Sequence, residues 1–171
     1  MTLSTEPLRR SEADWKKILS PAQFDVLRED GTEHAFSSPL DREKPPGVYV
    51  CAGCGLPLFT SRMKYDSGTG WPSFITHIPG HVGTKKDFKL ILPRTQYHCI
   101  RCGGYQGHVF DDGPPPTKQR WCNNGVALRF IPAGQAVGKV LPTYGLKGFE
   151  MGRSRAGILS RRRDCGRPAA R

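Results

Sequence analysis

No stretch of this 171-residue chain approaches the roughly 20 apolar residues of a membrane span, which argues against a helical membrane protein. The opening Met-Thr-Leu-Ser-Thr-Glu lacks a cationic region followed by an apolar run, so no export signal is read there. The expectation is a soluble protein of the cytoplasm. Residues 11–134 contain no long Ser/Gly linker, which leaves one ordinary core as the simplest organisation. Residues 1–10 then read as a flexible N-terminus and 135–171 as a basic, disordered tail. No internal repeat is found beyond a duplicated Cys-x-x-Cys element.

Acidic residues are scarce, 15 against 26 Lys and Arg, and the net charge of +11 resembles a nucleic-acid footprint until it is located. Residues 153–171 hold seven arginines and one acid, or +6 of the total. The remaining 152 residues carry only +5, so the charge says little about the domain. The tail has no apolar periodicity; it reads as a solvated end or as a segment for an anionic surface.

What is present begins with helix signals. Ser11 stands three residues before Asp14, and Trp15, Ile18 and Leu19 follow at helical spacing until Ser20-Pro21 restarts the pattern. Two short helices are expected over residues 11–19 and 21–29. A proline-rich loop covers 31–47, and Val48-Tyr49-Val50 enters the first cysteine pair as a strand. Short β-type runs follow at residues 56–59, 89–92, 95–98, 108–110 and 126–131, broken by Gly, Pro and Asp clusters. In the last run Val126, Leu128 and Phe130 alternate with Ala127 and Arg129, which predicts a strand with one buried face and places Cys122 at its entrance. The body is therefore mainly β.

The six cysteines sort by spacing. Cys51 and Cys54 form one Cys-x-x-Cys pair, Cys99 and Cys102 the other, and 44 residues lie between the two pairs. Two such knuckles can close a tetrahedral zinc cage, one structural zinc per chain, whereas a redox-active pair needs only one. In a reducing cytosol metal is favoured over disulfides. A closed four-thiolate site leaves no open coordination position for catalysis. Cys165 lies in the arginine-rich tail, and Cys122 remains.

A cysteine nucleophile needs a nearby cation, hydrogen-bond donors or a protonatable His. Arg120, Asn124 and His108 are the candidates. Trp71 stands on a glycine-flanked loop, Gly68-Thr-Gly-Trp-Pro72, of the kind that binds ligands. Each has a bland reading: Trp71 as core, His108 as a satisfied structural histidine, Cys122 as a small buried hydrophobe, Arg120 as packing.

Together they carry a resemblance. Tyr49-Val-Cys-Ala-Gly-Cys-Gly-Leu-Pro-Leu-Phe59, Tyr65-Asp-Ser-Gly-Thr-Gly-Trp-Pro-Ser-Phe74, Cys102-Gly-Gly-Tyr-Gln-Gly-His-Val-Phe-Asp-Asp-Gly113 and Arg120-Trp-Cys-Asn-Asn-Gly-Val-Ala-Leu-Arg-Phe130 resemble the B-type methionine sulfoxide reductases over residues 15–133. The resemblance implies a mainly antiparallel β fold with short N-terminal helices, a structural zinc, and reduction of peptide-bound methionine R-sulfoxide. It implies Cys122 as nucleophile passing through a sulfenic acid, His108 as proton donor, Asn124 as hydrogen-bond donor near the reacting groups and Trp71 against the S-methyl group. The implied partners are oxidised proteins and a thioredoxin-like reductant; no membrane or nucleic-acid partner is implied, and a monomer is the default.

The chain also departs from the pattern. Many members carry a second His at Tyr105 and some a Glu at Gln96, and both changes are expected to slow turnover. Members with an internal resolving cysteine often place it at Thr69. Here an external thiol is favoured to reduce the Cys122 sulfenic acid, with Cys165 as the other route. The readings that compete with the enzyme are a zinc-ribbon binding module for nucleic acid and a catalytically weakened relative.

Overall fold

The computed structural model describes residues 4–88 and 93–135. The run at 89–92, Cys165 and all of the tail beyond residue 135 lie outside the described residues. Helix α1 spans Glu12–Ile18 and α2 spans Pro21–Glu29. Ser11 caps α1 by accepting from the Asp14 N–H. Ser20 and Gln23 close a reciprocal capping box on α2, with Pro21 at the first position where its missing N–H costs nothing. Each helix is too short to stand alone in water, and α2 is held through buried Phe24, Val26 and Leu27. None of the helices among the described residues is long and apolar enough to cross a membrane.

Nine strands follow among the described residues: β1 Gly47–Cys51, β2 Pro57–Thr60, β3 Lys64–Tyr65, β4 Ser73–Phe74, β5 Val82–Asp87, β6 Arg94–Cys99, β7 Tyr105–Phe110, β8 Arg120–Asn123 and β9 Leu128–Pro132. Every pairing is antiparallel. One sheet has the order β2-β1-β9, the other β3-β4-β8-β7-β6-β5. Aromatic rings join them: Phe59 of β2 stacks on Phe74 of β4 at 4.0 Å, Tyr49 of β1 meets Phe74 edge-on at 5.1 Å, and Phe59 meets Tyr97 of β6 edge-on at 6.2 Å. Such pairs add directional preference to the area they bury.

Two expectations are corrected. Residues 126–131 are not one strand, because Gly125–Ala127 turn as a 3-10 helix before β9 begins at Leu128. The reason is a capture of backbone by a carboxylate: Glu33 accepts from the N–H groups of Gly125 at 2.6 Å and Val126 at 2.9 Å, which removes them from any ladder. Cys122 is consequently inside β8 rather than at the entrance of a later strand. The strands that sequence reading passed over are β8 itself, two-residue β3 and β4, too short to show a period, and β5, an edge strand whose Thr84, Lys85 and Lys86 are exposed and discourage further pairing.

Candidate active site and metal centre

Alternation along β8 sorts its side chains: Trp121 and Asn123 go to the aromatic core, Arg120 and Cys122 to the opposite face. Register then decides what stands beside the thiol. Cys122 pairs with His108 on β7 and with Ser73 on β4. Directly opposed residues share a face with Cβ atoms about 4.5–5.5 Å apart, so imidazole, thiol and hydroxyl lie in one row. The row continues to Gln96 beyond His108 and to Tyr65 beyond Ser73. Gly107 permits this approach, since a Cβ there would collide with the Cys122 carbonyl.

The row opens into a cleft of about 110 Å³ lined by Trp71, Tyr105, His108, Cys122 and Asn124 together with Arg94. All four residues expected at the reactive site are brought together. His108 is fixed from both sides: its Nε2 lies 2.8 Å from Asp87 Oδ2 and its Nδ1 2.9 Å from the Tyr105 hydroxyl. A carboxylate only accepts, so Nε2 carries the hydrogen. Asp87 is 3% exposed and also accepts from Arg94 at 2.8 Å. Burial raises the Tyr105 phenol well above its ordinary value.

Arg120 is buried and bonds Asp112 twice, from Nε at 2.8 Å and Nη2 at 3.0 Å, while its guanidinium lies 4.2 Å from the Phe110 ring centroid. The hydrogen bonds from Arg120 hold the Asp112 carboxyl below its usual range. Asn124 lines the cleft, but its carboxamide also serves the backbone: Oδ1 accepts from the Glu33 N–H at 3.1 Å and Nδ2 donates to the Gln106 carbonyl at 3.0 Å. The Trp71 indole is half-buried and donates to the Glu33 carbonyl at 3.2 Å. Its orientation depends on Gly70, at φ 86°, where a Cβ would run into Phe36.

Glu33 therefore holds Trp71, Asn124, Gly125 and Val126 at once, although nothing in its sequence context marks it. Burial raises its carboxyl above the ordinary value, offset in part by the two N–H donors. Asp87 and Arg94 were also missed; they flank the undescribed stretch 89–92 and follow no local motif. Tyr65 has a hydroxyl that is buried without a hydrogen-bond partner among the described residues, and burial pushes its pKa up to about 12. Thr69 reaches the row indirectly, because its hydroxyl is 2.8 Å from Ser67 Oγ, which is 2.8 Å from Ser73 Oγ.

At the other end, Cys51, Cys54, Cys99 and Cys102 place all four sulfurs within 4.8 Å of one another. The Cys51–Cys102 and Cys54–Cys99 separations are 3.6 and 3.5 Å. A regular tetrahedron with Zn–S bonds of about 2.3 Å has edges of about 3.8 Å, so the donor set fits a divalent zinc. Hydrogen bonds from the other three thiols draw Cys54 well below its ordinary value, the thiolate character a soft metal selects. Gln106 Nε2 approaches Cys51 Sγ at 3.5 Å, Asn123 bonds Gln106 Oε1 at 3.3 Å, and Tyr97 donates to both Asn123 Oδ1 at 2.7 Å and the Cys122 carbonyl at 3.2 Å. A chain of buried polar groups thus links the cage to the backbone of Cys122.

A cysteine set beside a doubly hydrogen-bonded imidazole in a cleft, separate from a four-cysteine cluster whose geometry fits a metal ion, is an arrangement suited to thiol redox chemistry. Comparison with known proteins narrows the class. A family profile described as the SelR domain matches residues 19–132, and the chain belongs to that family. It is 47% identical over 129 residues to the peptide methionine sulfoxide reductase MsrB of Methanosarcina barkeri, covering 75% of this chain and 91% of that one. It is 48% identical over 124 residues to MsrB of Leptospira interrogans, covering 72% and 95%. With the chloroplastic peptide methionine sulfoxide reductase B1 of Arabidopsis thaliana it shares 49% over 120 residues, 70% of this chain and 59% of the plant protein.

Proposed function

We propose that this protein reduces the R epimer of methionine sulfoxide in peptide linkage, with Cys122 as nucleophile. The observation that carries the reading is the cross-strand placement of Cys122 against His108 inside the Trp71 cleft, in a chain of the SelR family. The Cys122 thiolate bonds to the sulfoxide sulfur, the oxygen takes a proton whose source is His108 and passes to Sγ, and the transient sulfur–sulfur bond breaks to release methionine as the thioether and leave a sulfenic acid on Cys122. Two electrons pass from the cysteine sulfur to the sulfoxide sulfur, and one proton is taken up. Trp71 supplies an apolar wall for the S-methyl group, and Asn124 holds the backbone around the thiol.

Zinc in the four-cysteine cage serves structure, one ion per chain, and supplies folding free energy rather than chemistry. A thioredoxin-like dithiol reduces the sulfenic acid directly, since Thr69 offers no thiol next to the row. The cytoplasm, whose thiol pool is reduced, suits both the cage and this cycle. Family membership favours this reading over a zinc-ribbon module for nucleic acid.

The test incubates the holoprotein with dithiothreitol and each epimer of a methionine sulfoxide peptide, alongside Cys122→Ser. Reduction of the R epimer by the wild type alone is expected. Turnover by Cys122→Ser, or preference for the S epimer, overturns the proposal.

A further inference from the structure

We propose that Tyr105 is the group that hands the proton to the sulfoxide oxygen, acting as the outer member of a Tyr105–His108–Asp87 relay. The inference rests on the function proposed above and assigns the proton path within that same site. It starts from the fact that both ring nitrogens of His108 already face protein partners, Nε2 toward Asp87 and Nδ1 toward the Tyr105 hydroxyl. The imidazole lines the cleft with both of its nitrogens already engaged by protein groups. The phenol of Tyr105 lines the same cleft and is joined to Nδ1 at 2.9 Å. A substrate oxygen above Cys122 therefore meets the hydroxyl of Tyr105 as its available acid.

A phenol is a weak acid, with an unperturbed pKa of about 10, and burial raises that of Tyr105 further. It cannot give up its proton and remain charged in this cleft. The relay removes that obstacle. Asp87, buried and held by Arg94, accepts from Nε2–H and supports a positive charge on the ring. Protonated His108 then donates from Nδ1 to the phenol oxygen while the phenol O–H donates to the sulfoxide. As the transient Cys122 Sγ–sulfur bond forms and breaks again and the oxygen passes from the methionine sulfur to Sγ, the phenol gives one proton and takes one. It begins and ends neutral, the imidazolium becomes imidazole, and the products are the sulfenic acid and the thioether.

The charge pattern agrees with this direction of transfer. Around Tyr105 the charged groups on other elements are Arg94 on β6, Asp87 on β5, Asp30 after α2, and Cys122 on β8. Gln96, which pairs with His108 across β6 and β7, is a neutral amide, so Asp87 is the carboxylate that bonds the ring. Tyr105 thus presents to the cleft a hydroxyl backed by an imidazole. His108 acts through it as the positioning and proton-storing residue.

The experiment measures the single-turnover rate of Cys122 sulfenic acid formation, trapped by a carbon nucleophile, in zinc-loaded wild type, Tyr105→Phe, Tyr105→His and Asp87→Asn, with thermal melts and substrate affinity for each. Tyr105→Phe is expected to lose about 100-fold or more in rate, the lower bound for a general acid, with affinity and melting temperature nearly unchanged. Tyr105→His, which places an imidazole at the same spot, is expected to recover to within about tenfold of wild type, and Asp87→Asn to fall about tenfold. A Tyr105→Phe rate within about threefold of wild type overturns the relay, and so does a loss that Tyr105→His does not restore. The function itself fails differently: wild-type protein that forms no sulfenic acid from either epimer refutes the reductase reading and not the proton path.

Discussion

Removal of the Glu33 carboxylate should loosen the whole cleft, and its cost can be worked from the structure. In Glu33→Ala the N–H groups of Gly125 and Val126 lose acceptors at 2.6 and 2.9 Å. Hydrogen bonds to a charged partner contribute roughly 1.5–3 kcal/mol each, and a buried donor left unpaired pays its own desolvation. Gly125 is buried, and the space where a Cβ would stand is closed by Ser38, so water has little room to substitute there. Against this stands the desolvation that raises the Glu33 carboxyl, which the variant recovers. The net loss is about 2–3 kcal/mol, or about 6–12 °C in melting temperature for a domain of this size. Calorimetry of the zinc-loaded protein measures it. Because the Glu33 backbone also receives Trp71 and donates to Asn124, kcat/KM for a sulfoxide peptide should fall in the same variant. A Glu33→Ala protein that melts within about 2 °C of wild type, a shift of under roughly 1 kcal/mol, refutes the clamp.

Cys51→Ser should lower zinc content, read by elemental analysis, together with the melting temperature, since one of four sulfurs within 4.8 Å is replaced by a harder ligand; an unchanged melting temperature would count against the cage. Phe74→Ala removes the ring stacked at 4.0 Å on Phe59 and should cost about 3–5 kcal/mol in urea unfolding. The lowered Asp112 carboxyl has a defined sign: its pairing with Arg120 stabilises the fold above the ordinary Asp value of about 4 and is lost as pH falls through the lowered value. Melts recorded across that acidic window should show less acid sensitivity in Asp112→Asn than in wild type.

Much of the frame was legible in the residues themselves. Ser11 and Ser20 mark the helix starts because capping is local, and the two Cys-x-x-Cys knuckles announce their cage because the spacing is chemistry. What stayed hidden is whatever register and long-range capture decide. The side-by-side placement of Cys122 and His108 requires knowing that β7 and β8 pair with those residues opposed, and a one-residue slip would put them on opposite faces. The strand expected over 126–131 failed because Glu33, 92 positions away from Gly125, competes for the backbone. Asp87 could not be found by motif, since its importance lies in the ring it meets 21 positions later.

The cleft that holds Cys122 is about 110 Å³ and is floored by a strand paired on both sides. A thiol fixed in mid-sheet cannot reach outward, so under the proposed function the damaged residue must come to it. A recess of that size admits the tip of one side chain and no folded surface around it. Oxidised methionines that protrude, or that lie in chains already loosened, are within reach; those sealed in an intact core become accessible only when the core opens. The rate at which such a lesion is repaired is then set by the opening equilibrium of the damaged protein as much as by the enzyme.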